Sequence, residues 1–400
     1  DDEKKAPGRI RALRADLAPI ECADAIVDPW LGKRDAISDA YGHVAIGLSL
    51  AAKLARTARG APRMPAGGDK AKVAEFVKGP LKKWVVEQAT AIEALGAGAA
   101  GLVGYGRGIA AIESGNADLR LVDDIRSAPV PKEWDLELRQ VYEIALDEAL
   151  EPRKARGRDA ALVGLADFAD VGSLHDARVD RARAMLAKLY GGRRIDALDA
   201  LLLPEVHDVK EASDESLLAT MAGHAPPAFW IAFALPADAP KELASTATAD
   251  ARATHAANHV RLGRLYWRRA DFVDAAYDAS PGETPESKMI LALALALARS
   301  DVGSAVEMMR APSPAALGLW HTEPLDVVAQ GGGPYAGMAA YDAAYLRSLC
   351  PDRDDPAAWM RDVAKRFHDA EAMLTGADQK KAAAAHARDA EEAANAAAKK

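Results

Sequence analysis

A chain of 400 residues can bury the cores of two or three ordinary domains or of one extended solenoid, so core size limits nothing. A formal net charge of −8 argues against a nucleic-acid binder, which carries a basic face or stripe. The longest apolar run, Met289 to Ala298, is alanine-rich and falls well short of the ~20 residues of a membrane-spanning helix. Half the residues are hydrophobic, only 6% are aromatic, and alanine is the commonest type. Alanine is the best helix former, so an all-α fold is expected.

In chain order, the polar opening from Asp1 to Gly8 reads as disordered. Because it begins at Asp1 rather than Met, it also reads as a processed end, which gives the expectation of a periplasmic or secreted protein, with a cytoplasmic one as the alternative. Cys22 and Cys350 fit either a long-range disulfide or two small buried thiols. A helix from about Arg9 carries Ile10, Leu13 and Leu17 and ends at Pro19. The next, after Gly32 and up to about Arg59, sets Ile37, Tyr41, Val44, Leu48 and Ala55 on one face. Ala58 to Asp69 is an irregular Pro/Gly connection. A helix resumes near Lys70, is interrupted at Gly79-Pro80, and continues through Trp84 and Ile92 to Leu95.

Gly96, Gly98 and Gly101 satisfy G-x-G-x-x-G, but they follow a charged helix rather than an apolar strand. They are therefore read as a helix–helix junction and not as a dinucleotide loop. Glu113-Ser114 and the segment Gly98 to Leu102 look like fragments of the lytic transglycosylase pattern in reversed order. Glu113 to Asn116 is read instead as a turn with Gly115 as C-cap residue. Helices follow over Leu119–Ser127, Trp134–Leu150 (stopped by Pro152), Arg158–Asp170 and Asp176–Tyr190. The proline- and aromatic-rich stretch from His224 to Pro240 marks a partition. The organisation expected is a disordered start at 1–8, a helical region over 9–222, a junction at 223–246, a helical repeat region over 247–376 and an alanine-rich charged helix at 377–400.

From Thr254 to Arg310 the chain reads as two helix–turn–helix phrases. Leu262, Gly263 and Tyr266 lie on one helix, a turn falls near Arg269-Ala270-Asp271, and Phe272 and Ala275 open the next. The second phrase repeats the turn and second helix as Ser300-Asp301-Val302 and Ala305. This resembles the tetratricopeptide pattern over residues 254–310. The resemblance implies stacked antiparallel helical hairpins, an α-solenoid whose concave surface binds another protein. Met289 to Ala298 is read as a buried helix, Asp355-Pro356 as a helix start, and the final helix, with no large apolar residue, as projecting into solvent or lying against a partner.

His255 and His259 stand at i and i+4, so on a helix they face the same way and could share a metal ion, with His224 or His321 as a conceivable third ligand. The Glu of the H-E-x-x-H zinc helix is absent, and the pair equally continues the stripe that ends in Leu262 and Tyr266. With Tyr266, Trp267 and Arg269, the two histidines are the candidate lining of a partner-binding groove, since Trp, Tyr and Arg are favoured at interfaces. The expectation is thus a non-catalytic scaffold or interaction subunit of a larger cell-envelope assembly, binding one or more proteins and needing no catalytic residue, metal or cofactor. The alternative is an enzyme with a metal or polysaccharide site on a helical scaffold.

Overall fold

The computed structural model describes residues 7–32, 40–57, 62, 70–128, 130, 134–174, 176–190, 195–205, 249–298, 309, 320–350 and 354–399. Among these, every regular element is a helix and none is a strand, as the alanine content dictates. The described residues divide into two units, one up to Leu189 and one from Tyr190 onward. The expected junction at 223–246, His224, and the turn and Ala305 of the second repeat phrase all lie outside the described residues.

In the first unit the helices are α1 (Pro7–Asp16), α2 (Ala23–Leu31), α3 (Ala40–Thr57), α4 (Lys70–Phe76), α5 (Lys82–Gly98), α6 (Gly104–Arg126), α7 (Leu136–Asp170) and α8 (Ala177–Leu189). A π-helical segment, Val77–Leu81, carries the chain from α4 into α5 past Pro80, which accommodates the missing proline donor without ending the helix. Gly101 and Gly104, at φ 85° and 54°, make the turn from α5 into α6, so the glycine-rich stretch is indeed a helix junction.

The unit is arranged around α6. A Cβ on Gly106 would lie 2.3 Å from the carbonyl oxygen of His43, and one on Gly47 would lie 2.4 Å from the carbonyl oxygen of Gly106. The backbones of α3 and α6 therefore meet with nothing between them. On the other side of α6, a Cβ on Gly115 would be 2.6 Å from the amide nitrogen of Ala161, and one on Gly164 would be 2.7 Å from the Cβ of Ile112. This corrects the reading of Gly115 as a C-cap: residues 113–116 are mid-helix, and the glycine is there because α7 approaches too closely for any side chain.

Pro152 does not stop its helix either. α7 runs for 35 residues with Pro152 inside it. Glu148, whose carbonyl loses its donor to the proline, is exposed, so water can satisfy it. Directly after the proline and one turn on, Arg153 and Arg156 are fastened to Asp118 of α6, at 3.0 Å for Arg153 and at 2.6 and 2.8 Å for two nitrogens of Arg156. Asp118 is fully buried, so a helix that stopped at the proline would leave its charge unpaired.

In the second unit, α9 (Ala249–Tyr266), α10 (Arg269–Ala279), α11 (Pro285–Ala298), α12 (Glu323–Gly331), α13 (Ala336–Leu349), α14 (Pro356–Met373) and α15 (Ala377–Ala397) each pack on the next in the chain. α11 is enclosed, with Met289, Ile290, Leu293 and Leu297 all at 0% exposure, which explains an apolar pattern that runs all round it. Asp355 caps α14 by accepting the Ala358 amide at 2.8 Å. The terminal helix does not project. Ala383, Ala387, Ala390 and Ala394 form a buried stripe on α15, which packs on α14, and His386 stacks among Tyr341, Tyr345 and Phe367. A helix needs no large apolar residue to dock when alanines let it come this close. Cys22 is exposed and Cys350 buried, both as thiols.

The Tyr345 hydroxyl donates to the carbonyl of Ala197, and Asp342 accepts the Leu202 amide at 2.8 Å, so α13 anchors residues 197–202. Burial pushes the Asp342 carboxyl well above the usual aspartate range, against the Leu202 hydrogen bond and the charge of Arg264. Its second oxygen has no hydrogen-bond partner.

Two outcomes are expected. Gly106→Ala should destabilise the protein by about 2 kcal/mol or more through backbone overlap, whereas Gly96→Ala, which meets nothing within 4 Å, should be neutral or stabilise by up to ~1 kcal/mol in urea denaturation. For Asp342 the raised folded value means that the native state holds the proton more tightly than the unfolded chain. Wild-type stability should therefore fall as pH climbs from the ordinary aspartate value of 3.8 towards the raised one. Asp342→Asn keeps the acceptor for Leu202 without the charge. Its stability advantage over wild type should therefore grow as pH rises above 3.8, measured by denaturant midpoints across a pH series.

Candidate functional site

The hairpin of α9 and α10 carries the five groove candidates, His255, His259, Tyr266, Trp267 and Arg269. α9 ends at Tyr266, and the chain reverses in two residues: Trp267 takes a left-handed φ of 53°, and the Arg268 amide donates to the carbonyl of Gly263 at 3.1 Å. This is the six-to-one bond of a Schellman closure, with tryptophan where glycine is usual. The strain of ~1–3 kcal/mol is held because the indole is buried and donates to the Ile195 carbonyl at 2.6 Å. The turn is thus tighter than the expected Arg269-Ala270-Asp271, all of which already belong to α10. The two helices then close on each other at Gly263, where a Cβ would fall 2.4 Å from the ring of Phe272.

Antiparallel packing brings the start of α9 to the end of α10. His255 Nδ1 lies 2.6 Å from Asp278 Oδ2, and His259 Nδ1 lies 3.0 Å from Asp271 Oδ1. The two imidazoles pack edge to face at 4.6 Å between centroids. Arg268 approaches the other oxygen of Asp271 at 3.6 Å. Burial disfavours a charged His259, but the hydrogen bond to Asp271 and the carboxylates of Asp271, Asp274 and Asp278 outweigh it, and the net shift is upward. One ligand atom each from His255, His259 and Asp278 falls within 4.8 Å of the others, and so do those of His259, Asp271 and Asp274. Neither group includes His321, which is exposed elsewhere in the unit.

The sequence reading missed the aspartates. Their signal was present as Asp271, Asp274 and Asp278, spaced i, i+3, i+7 along one face of the partner helix.

Tyr266 and Trp267 do not line a groove. They are 4% and 3% exposed and belong to the closure of the hairpin. An amphipathic reading alone could not see that the left-handed turn folds the indole inward. Arg269 is exposed, and it begins a stripe on the outer face of α10 that continues through Val273 at 51% and Tyr277 at 75% exposure. Their i, i+4, i+8 spacing is the complement of the core stripe Phe272, Ala275 and Ala279 on the same helix.

In the first unit, a cleft of about 380 Å³ is lined by Leu54, Glu113, Asn116, Arg120, Arg181 and Met185, among others. Burial pushes the Glu113 carboxyl upward, and the nearby Arg181, which donates to it at 2.7 Å, pulls it back. Its partner Arg181 is half exposed at the same cleft, and the Gly98–Leu102 segment sits at the α5–α6 junction, before Glu113 in the chain.

Comparison of the chain with protein-family models, with curated proteins and with solved structures finds no match.

Proposed function

We propose that this protein is a non-catalytic helical scaffold, a tetratricopeptide-like stack of hairpins that holds another protein within a larger assembly. The observation that carries this reading is the stripe Arg269, Val273 and Tyr277 on the outer face of α10. It sets a tyrosine and an arginine, the side chains richest in binding hot spots, at either end of an apolar patch on a helix whose opposite side is anchored in the core. The Gly263–Phe272 closure supports the first phrase of the repeat grammar, and the successive packing of α9 to α15 is compatible with a stack of hairpins. The occupant that suits the stripe is a segment of another protein bringing apolar side chains to Val273 and Tyr277 and a carboxylate to Arg269. Leu136, Val141 and Ile144, exposed at the start of α7, give the first unit an apolar face of its own, as a multi-contact scaffold would need.

The test is affinity capture from the native cell with the full-length protein and with a Tyr277→Ala, Arg269→Glu double variant. Both residues are exposed, so the variant should unfold within ~0.5 kcal/mol of wild type. It should lose a partner that the wild type retains, with affinity reduced at least tenfold in a binding titration with that partner. If every associated protein bound the variant as tightly as the wild type, this reading would be wrong.

A further inference from the structure

We infer that the inner edge of the α9–α10 hairpin is a binding site for a divalent transition-metal ion of the zinc class, with His255, His259 and Asp278 as ligands and Asp271 as the residue that orients His259. This inference is independent of the partner reading, because it uses the edge of α10 where the aspartates lie and not its outer stripe.

Four observations converge on it. The ligands come from two helices fixed by the tight Schellman turn and by the Gly263–Phe272 contact, so their backbones are already in place. The ligand atoms lie within 4.8 Å of one another, and the closest pair, His255 and Asp278, is at 2.6 Å. These values bracket the ~3.3 Å ligand–ligand edge that zinc bonds of ~2.0–2.1 Å produce in a tetrahedron, and rotations about side-chain torsions bridge the difference. Asp271 at 3.0 Å from His259 Nδ1 is the carboxylate–histidine arrangement that sets a tautomer and presents the other ring nitrogen to a metal. Finally, two imidazoles face three carboxylates, those of Asp271, Asp274 and Asp278. That local excess of carboxylates attracts a divalent ion even with Arg268 3.6 Å from Asp271.

The donor set selects the ion class. Imidazole with a carboxylate suits Zn²⁺, Co²⁺ or Ni²⁺, whereas Ca²⁺ and Mg²⁺ demand oxygen ligands. The side chains of His255 and His259 keep 40% and 21% of their exposure, which leaves a route in and room for a water as fourth ligand. Such an ion would tie the second and third turns of α9 to the last turn of α10, away from the end that Trp267 closes.

The experiment uses the full chain, treated with chelator and dialysed. Zn²⁺ alone should bind with a stoichiometry near one by calorimetry and raise the melting temperature. Co²⁺ should give the visible absorption bands of low-symmetry nitrogen and oxygen coordination. His255→Gln and Asp278→Asn should each weaken Zn²⁺ at least tenfold and Asp271→Asn by roughly tenfold, with far-UV circular dichroism checking the fold and His321→Gln leaving affinity unchanged. Should these variants not fold, the wild-type chain still decides the question: Zn²⁺ should shield His255 and His259 from carbethoxylation mapped by mass spectrometry. Absence of stoichiometric binding of Zn²⁺, Co²⁺ and Ni²⁺, binding unaltered in a folded His255→Gln, His259→Gln double variant, or unshielded histidines in the presence of Zn²⁺ would each overturn the assignment. In that event the hairpin edge is held by its His–Asp hydrogen bonds alone.

Discussion

The close approach of α6 to the backbones of its neighbours is the constraint on which the first unit depends. Glycine at positions 47, 106, 115 and 164 removes the side chains that would hold the helices apart. At such separations dispersion contacts are dense, but there is no room for water. Charged groups at these seams therefore find their partners in protein, whereas two neutral atoms beside them, Asn116 Oδ1 and His43 Nδ1, are buried without one. Asp118 is clamped by Arg153 and Arg156. Asp167 takes both nitrogens of Arg107 at 2.6 and 2.8 Å. Arg178 donates to Asp16, Asp176 and Tyr105, whose own hydroxyl donates to Asp16. Pairs of this kind add little net stability against an apolar alternative, but removing one member strands the other at ~3–5 kcal/mol. They thus act as a check on register: a helix slipped by one turn would bury the same charges unpaired.

The second unit reaches close packing through alanine instead. α11 and α15 have stripes or whole surfaces of alanine, and what fixes their positions is the shape of the larger residues opposite, such as Phe367 against His386. Alanine surfaces specify partners weakly on their own, since many small faces are alike. The polar anchors of α13 on residues 197–202, through Asp342 and Tyr345, and the indole of Trp267 on Ile195 supply the specificity that the alanines lack.

Helical content was legible because propensity and composition agree over most of the chain. The α9–α10 hairpin was legible because Leu262, Gly263, Tyr266, Phe272 and Ala275 are positions where packing dictates residue size. The misreadings share one cause. Pro152 and Gly115 were taken at their local value, as a breaker and a cap, whereas each is overruled by a contact with a helix far away in sequence: Asp118 for the turn after the first, Ala161 for the second. The terminal helix was judged by the size of its own side chains, although docking depends on how near the partner backbone can come. Trp267 was placed at a groove edge because nothing local reveals a positive φ at a tryptophan. The histidine pair was found from its i, i+4 spacing, but its aspartate partners were not, because pairing across a hairpin depends on where the turn falls, and that had been set two residues too late.

Once the turn is placed correctly, α10 resolves into three sectors. At 3.6 residues per turn, Phe272, Ala275 and Ala279 point to the core. Asp271, Asp274 and Asp278 lie roughly a third of a turn away beside the histidines, and Arg269, Val273 and Tyr277 occupy the remaining third. An 11-residue helix is too short to be stable alone, so its existence rests on the first sector and on the closure at Trp267. The other two sectors are then free to differ without threatening the fold. Because both are displayed by one short element whose position is already fixed by the core sector and the Trp267 closure, a substitution in either sector leaves the backbone that carries the other in place.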